Sequence, residues 1–128
     1  MKPELTLLVW AVALAFVQVL IAVQGAAMQL GLPALAANRE ALPDLKGWVG
    51  RAQRAQRNMV ENLLLFAALV LVAVVAGKTN ATTLLGAQIF LWARVVYAAV
   101  YIAGIPWLRT GVWFVSVVGM LLIFAQLI

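Results

Sequence analysis

The stretch Arg51-Ala-Gln-Arg54-Ala-Gln-Arg57-Asn58-Met-Val-Glu61-Asn62-Leu63-Leu-Leu-Phe-Ala-Ala-Leu-Val70-Leu-Val-Ala-Val-Val-Ala76 passes from three polar turns into a wholly apolar run without a glycine or a proline. It reads as one helix that starts in a polar environment and continues into a bilayer. The composition agrees. Of 128 residues, 66% are hydrophobic and 10% charged, and the mean hydropathy is +1.07. Soluble domains average about 45–50% apolar and about 25% charged, so an ordinary soluble fold is excluded.

Outward from this helix, three further spans are predicted. No charged residue occurs between Glu4 and Arg39, and the run from Leu5 to Leu30 carries only Thr6, Gln18, Gln24 and Gln29 as polar side chains. It exceeds the ~20 residues a bilayer core requires and is too long for the ~7–15-residue core of a cleavable signal peptide. Residues 31–50 mix Pro33, Pro43 and Gly47 with Arg39, Glu40, Asp44 and Lys46, and so read as a polar connection. Gly104 and Pro106 close a third span, and a nearly apolar fourth follows Thr110. The expected spans are about 5–30, 51–77, 83–105 and 110–128, in one all-α domain covering 1–128, a four-transmembrane-helix bundle. With four spans, Lys2 and Lys78 share one side, whereas Arg39, Lys46, Arg51, Arg54, Arg57 and Arg109 share the other. By the positive-inside rule the 31–50 loop is cytoplasmic, and a multi-pass protein of the bacterial inner membrane is expected. The clustering of the basic residues speaks for topology and a site rather than for nucleic acid.

There is no cysteine and no histidine, which removes protein thiol chemistry, the usual neutral-pH base and the commonest metal ligand. No metal site is expected. Arg94 lies 16 residues after Lys78 and 15 before Arg109, more than about 20 Å of helix from either end. A charge at that depth calls for a partner or an aqueous cavity, and Glu61 is the expected partner. Counted from the basic end, Glu61 lies about 15 Å deep, Tyr97 about 13 Å and Arg94 about 18 Å. At 100° per residue, Arg51, Arg54, Asn58 and Glu61 share one face of the second span, and Arg94, Tyr97 and Tyr101 one face of the third. Taken singly, the arginines could be headgroup anchors, Glu61 and Arg94 a structural ion pair, and the tyrosines an interfacial belt. Taken together, the two stripes at matching depth describe a receptor for a small zwitterion with more than one carboxylate: arginine forks for the carboxylates, Glu61 for an ammonium, Asn58 for a peptide group. The bound molecule would itself supply the nucleophile, and a ligand thiol beside cations and phenols would be held as thiolate.

The motif Arg51-Ala-Gln-Arg54-Ala-Gln-Arg57-Asn58-Met-Val-Glu61-Asn62 resembles the second-helix signature of the MAPEG family, the membrane-associated proteins in eicosanoid and glutathione metabolism. Ala93-Arg94-Val-Val-Tyr97-Ala-Ala-Val-Tyr101 with Gly104-Ile-Pro106-Trp-Leu-Arg109-Thr110 is similar to the family's third helix and following turn. The resemblance implies a homotrimer with glutathione, as co-substrate, between neighbouring subunits at the cytoplasmic half. By position it implies glutathione contacts at Arg51, Arg54, Asn58, Glu61, Arg94, Tyr97 and Tyr101, with Gln56 and Arg109 contributed by the adjacent subunit. Arg109 and Tyr97 would act on the thiol. Two departures stand out: Asn62 occupies a position where leukotriene-synthase-like members have tyrosine, and the arginine-rich turn after their first helix is missing, with Arg39 the nearest candidate. The activity implied is that of a microsomal glutathione transferase-like enzyme, a transferase or peroxidase acting on hydrophobic electrophiles or lipid hydroperoxides that arrive through the membrane lipids. A non-catalytic scaffold or lipid-binding protein is the competing class. A small multidrug exporter is disfavoured because no carboxylate falls in the expected first span.

Overall fold

The structure, a computed structural model, describes residues 1–37 and 43–128; Arg39 lies outside the described residues. Four long helices, each apolar and long enough to cross a membrane, form the bundle: α1 (Pro3–Leu30), α3 (Gly47–Val75), α4 (Ala81–Ala103) and α5 (Pro106–Leu127). A short helix, α2 (Leu32–Ala36), follows α1 within the expected polar connection, started by Pro33 with its fixed φ. Among the described residues there is no strand.

Local chemistry sets the helix ends. At the close of α3, Gly77 (φ 67°) takes the left-handed conformation, and the N–H groups of Lys78 and Gly77 bond Ala73 O and Val74 O. Gly104 (φ 84°) ends α4 in the same way, with Ile105 N–H bonding Val100 O. Both are glycine-terminated caps that satisfy carbonyls a bilayer could not. Helix α4 opens on a reciprocal cap, in which the Asn80 side chain accepts from Thr83 N–H and Thr83 Oγ1 accepts from Asn80 N–H. Pro106 opens α5 at a position where its missing N–H costs nothing.

Short turns make α3, α4 and α5 successively antiparallel, and α1 runs parallel to α4. At one end Glu4 accepts a 2.8 Å hydrogen bond from the Thr83 hydroxyl, Asn80 donates to Gln126, and Lys78 donates to the Leu127 carbonyl. At the other, basic end, the Gln29 side chain makes two hydrogen bonds with the Lys46 backbone, and Arg51 Nε donates to Ile102 O at 2.9 Å. Between them, Phe66 and Phe90 stack with centroids 4.0 Å apart at the centre of the core, with Ala11, Met59, Ala87 and Ile123 around them. Trp10, Phe16, Leu64, Trp92 and Leu121 point outward, as a lipid-facing surface demands.

The first helix begins just ahead of the uncharged run, so that Glu4 is the second residue of α1 and only 3% exposed. Its position at the end of the bundle, bonded to the α4 cap, is that of a structural group. Thr83→Val, which leaves the Glu4 side chain unbonded and also removes the acceptor for Asn80 N–H in the α4 cap, is expected to cost about 1.5–3 kcal/mol, read as a lower melting temperature of the detergent-solubilised protein. Glu4→Gln, which keeps an acceptor, is expected to cost less.

Candidate functional site

On α3 the side chains of Ala52, Ala55, Met59, Asn62 and Phe66 point into the bundle. At 100° per residue, Arg51 and Asn58 fall on one flank of this buried face and are half-buried, while Arg54 and Glu61 lie further round and are exposed. Gln56 falls on the opposite flank. On α4, Arg94 and Tyr97 are buried and Tyr101 is half-buried. The Phe66–Phe90 stack and the Arg51–Ile102 bond fix the α3–α4 register, which puts Arg94 level with Met59 to Asn62. The depth expected from the sequence is therefore right.

The expected pairing is not. Arg94 is 1% exposed, and its three guanidinium nitrogens have no hydrogen-bond partner among the described residues; Glu61 is on the outside of the bundle. The reason is angular: Glu61 is about 140° around α3 from the inward-facing Phe66, so no rotamer carries it across the helix. Arg94 instead lays its guanidinium carbon 4.2 Å from the centre of the Tyr97 ring. Tyr97 meets Tyr101 edge to face at 5.5 Å, and Arg109 at the start of α5 sits 4.5 Å over Tyr101. A ladder of cation, ring, ring and cation thus joins α4 to α5.

Beside this ladder lies a cleft of about 180 Å³ lined by Asn58, Tyr97, Arg109, Thr110 and Trp113. Three of the sequence-predicted residues meet there within one chain. Arg109, expected from a neighbouring subunit, faces Tyr101 and the cleft of its own chain. The Asn58 amide is oriented from behind, because the buried Asn62 donates to both Asn58 Oδ1 (3.1 Å) and Asn58 O (2.8 Å). The remaining predicted residues are distributed around it. Arg54 and Glu61 stand on the exposed surface of α3 next to the cleft, and Arg94 is enclosed behind Tyr97. Arg51 is held by its bond to Ile102 O against Gly104, where any Cβ would come within 3.2 Å of its Nε. Gln56 lines a separate cleft of about 420 Å³ between α1 and α3, with Gln53, Arg57 and Asp44.

The sequence reading gave Thr110, Trp113 and Asn62 no part in the site. Trp113 carried a signal, since it follows Arg109 by four residues and so shares its face of α5. It also forms a wall of a second, apolar groove of about 490 Å³ between α3 and α5, with Leu65, Leu69, Met120 and Phe124. A polar cleft and an apolar groove therefore abut at one indole. Among the described residues no group of His, Cys, Asp or Glu side chains could hold a metal ion.

Fold and site together define a multi-pass α-helical membrane protein with a cationic, phenol-lined cleft at one end of an apolar bundle. The chain belongs to the MAPEG family, whose family model matches residues 5–128, essentially its whole length. Proteins of this family are membrane-embedded, generally oligomeric, and belong to glutathione and eicosanoid metabolism. No curated protein and no solved structure matches the chain.

Proposed function

We propose that this protein is a glutathione transferase or peroxidase that holds glutathione in the Asn58–Tyr97–Arg109 cleft and presents its thiolate to hydrophobic electrophiles or lipid hydroperoxides in the α3–α5 groove. The observation that carries this reading is the shared wall at Trp113: the polar co-substrate and the apolar one have separate chambers that touch. Arg109 and Tyr97 act on the thiol, one as a cation and one as a phenol donor. Asn58 bonds the peptide, Arg51, Arg54 and Tyr101 serve the carboxylates, Glu61 takes the ammonium, and Arg94 acts through Tyr97.

A homotrimer fits the same surfaces. Ligand pockets usually run from about 300 Å³ upward, more than the cleft provides within one chain, and Arg54 and Glu61 stand exposed on a helix that continues into apolar sequence. The Gln56–Arg57 cleft lies on the opposite flank of α3, so docking one flank onto the other in a neighbouring copy is a heterologous contact, of the kind from which a closed trimer is built when the rotation between copies is a third of a turn. We read the residue 31–50 connection as cytoplasmic, in a bacterial inner membrane, from the six-to-two basic asymmetry.

Calorimetric titration of detergent-purified protein with glutathione, followed by turnover assays with an aryl halide and a lipid hydroperoxide, tests the proposal. Arg54→Ala and Glu61→Ala are each expected to weaken glutathione binding by about 1.5 kcal/mol or more, as for loss of a charge-assisted hydrogen bond, with Lys2→Ala at the far end unchanged. Reduced expression or oligomer stability with unchanged affinity would instead identify the two stripes as structural, and the protein as a scaffold.

A further inference from the structure

Two side chains inside the bundle stand apart from the rest. Gln18 of α1 is 4% exposed with both amide atoms unpartnered, and Arg94 of α4 is 1% exposed with all three nitrogens unpartnered. Among the described residues these are the only buried side-chain nitrogens and oxygens left so. Such groups are rarely left unbonded, and an enclosed guanidinium is the most costly of them.

Their depths match to within about one helical turn. Glu4 and Thr83 are bonded at 2.8 Å, and α1 and α4 run parallel from that point. Gln18 is 14 residues beyond Glu4 and Tyr97 is 14 residues beyond Thr83, in each case about 21 Å along the helix. Arg94 stands one turn earlier, with its guanidinium carbon 4.2 Å from the centre of the Tyr97 ring, and so lies within about one turn of Gln18 in depth. The register holds along the way, because Leu14 and Val17 share a groove with Leu91 and Val95. Both residues lie on the stripes that carry the Glu4–Thr83 bond: Glu4, Ala11, Ala15 and Gln18 on α1, and Thr83, Phe90, Arg94 and Tyr97 on α4.

We propose that Gln18 and Arg94 together hold an ordered internal water, and that Gln18 is thereby a positioning residue for the Tyr97 wall of the cleft. The chemistry selects water. Guanidinium has only donors and the carboxamide oxygen only accepts, so the two could bond directly, yet in the structure neither reaches the other and a bridging molecule is called for. A water molecule accepts from the first and donates to the second, whereas an anion would leave the amide oxygen without a donor. Held in this way, the guanidinium stays over Tyr97 and fixes the phenol that faces the substrate. Only this last link rests on the glutathione reading.

A thermal double-mutant cycle on the detergent-solubilised full chain tests the pairing without any ligand. Gln18→Met is expected to lower the melting temperature by about 5 °C in the wild-type background and to leave or raise it in an Arg94→Met background. An equal change in both backgrounds, a fall included, overturns the pairing. Should Arg94→Met not fold, Gln18→Glu decides: a carboxylate facing the guanidinium raises the melting temperature above that of Gln18→Met, and one facing apolar side chains lowers it below. Positioning is read separately by glutathione titration, in which Gln18→Met is expected to weaken binding five- to tenfold and Gln18→Glu to restore it to within twofold. Unchanged affinity in Gln18→Met, with the thermal coupling intact, overturns the positioning role. Failure of the wild-type protein to bind glutathione removes the proposed function and leaves the thermal cycle to decide the pairing.

Discussion

Arg109→Leu is expected to lower the turnover of glutathione with an aryl halide by about 10²- to 10³-fold, the scale of removing one preorganised donor from a developing anion. Arg109 lies over Tyr101 and lines the cleft beside Tyr97, so in the proposed complex its charge adjoins the sulfur. A neighbouring cation lowers a thiol pKa from its ordinary ~8.5; without it the thiolate forms at higher pH. The rate deficit is therefore largest near neutrality and shrinks as the pH rises through the free-thiol range. The ultraviolet absorbance of bound thiolate, followed against pH, separates this from a loss of binding. An unchanged thiol titration in Arg109→Leu and in Tyr97→Phe, with glutathione still bound, would mean that the protein holds the tripeptide without activating it.

The second large effect is structural. A Cβ placed on Gly119 of α5 would lie 2.6 Å from Gly86 O, and one on Gly86 of α4 would lie 2.5 Å from Gly119 O. The two backbones touch, and α4 and α5 make the most extensive helix–helix contact of the bundle. Lipid is as apolar as the interface, so close packing rather than water exclusion holds membrane helices together. Gly119→Leu has nowhere to put its side chain except by separating α5 from α4, at a cost of about 3 kcal/mol or more. Because α5 also brings Arg109 and Trp113 to the site, a fall of more than about 10 °C in melting temperature and loss of glutathione binding are expected together. Gly111→Ala, where a Cβ meets nothing within 4 Å, is the control.

Four spans were legible because hydropathy over some twenty residues is a strong signal, and depth was legible because helical rise is constant. Azimuth was not. The stripe Arg51, Arg54, Asn58, Glu61 is a real face of α3, but it borders the buried face rather than coinciding with it, and only the packing of Met59 and Phe66 against α4 decides which edge turns inward. That is why Asn58 and Tyr97 line one cleft with Arg109 of the same chain rather than of a neighbour, while Glu61 misses Arg94. The expected first span began after Glu4 because the uncharged run begins there; the buried bond of Glu4 to Thr83 depends on a residue 79 positions away. Asn62 was read as a substitution at a family position, whereas its spacing of four from Asn58 is what lets it grip that side chain.

The indole at Trp113, which borders both chambers, has a consequence for what happens after chemistry. Under the proposed reaction the two reactants reach the site by different routes, one from the aqueous end and one sideways from lipid, so neither obstructs the other and no order of arrival is imposed. A conjugate of the two has no such freedom. It is an amphiphile anchored on both sides of the indole, with a charged head that cannot follow its tail into the bilayer and a tail that cannot follow its head into water. Departure then requires sliding along the membrane surface with head and tail each in its preferred medium, which makes product escape slower for longer apolar tails.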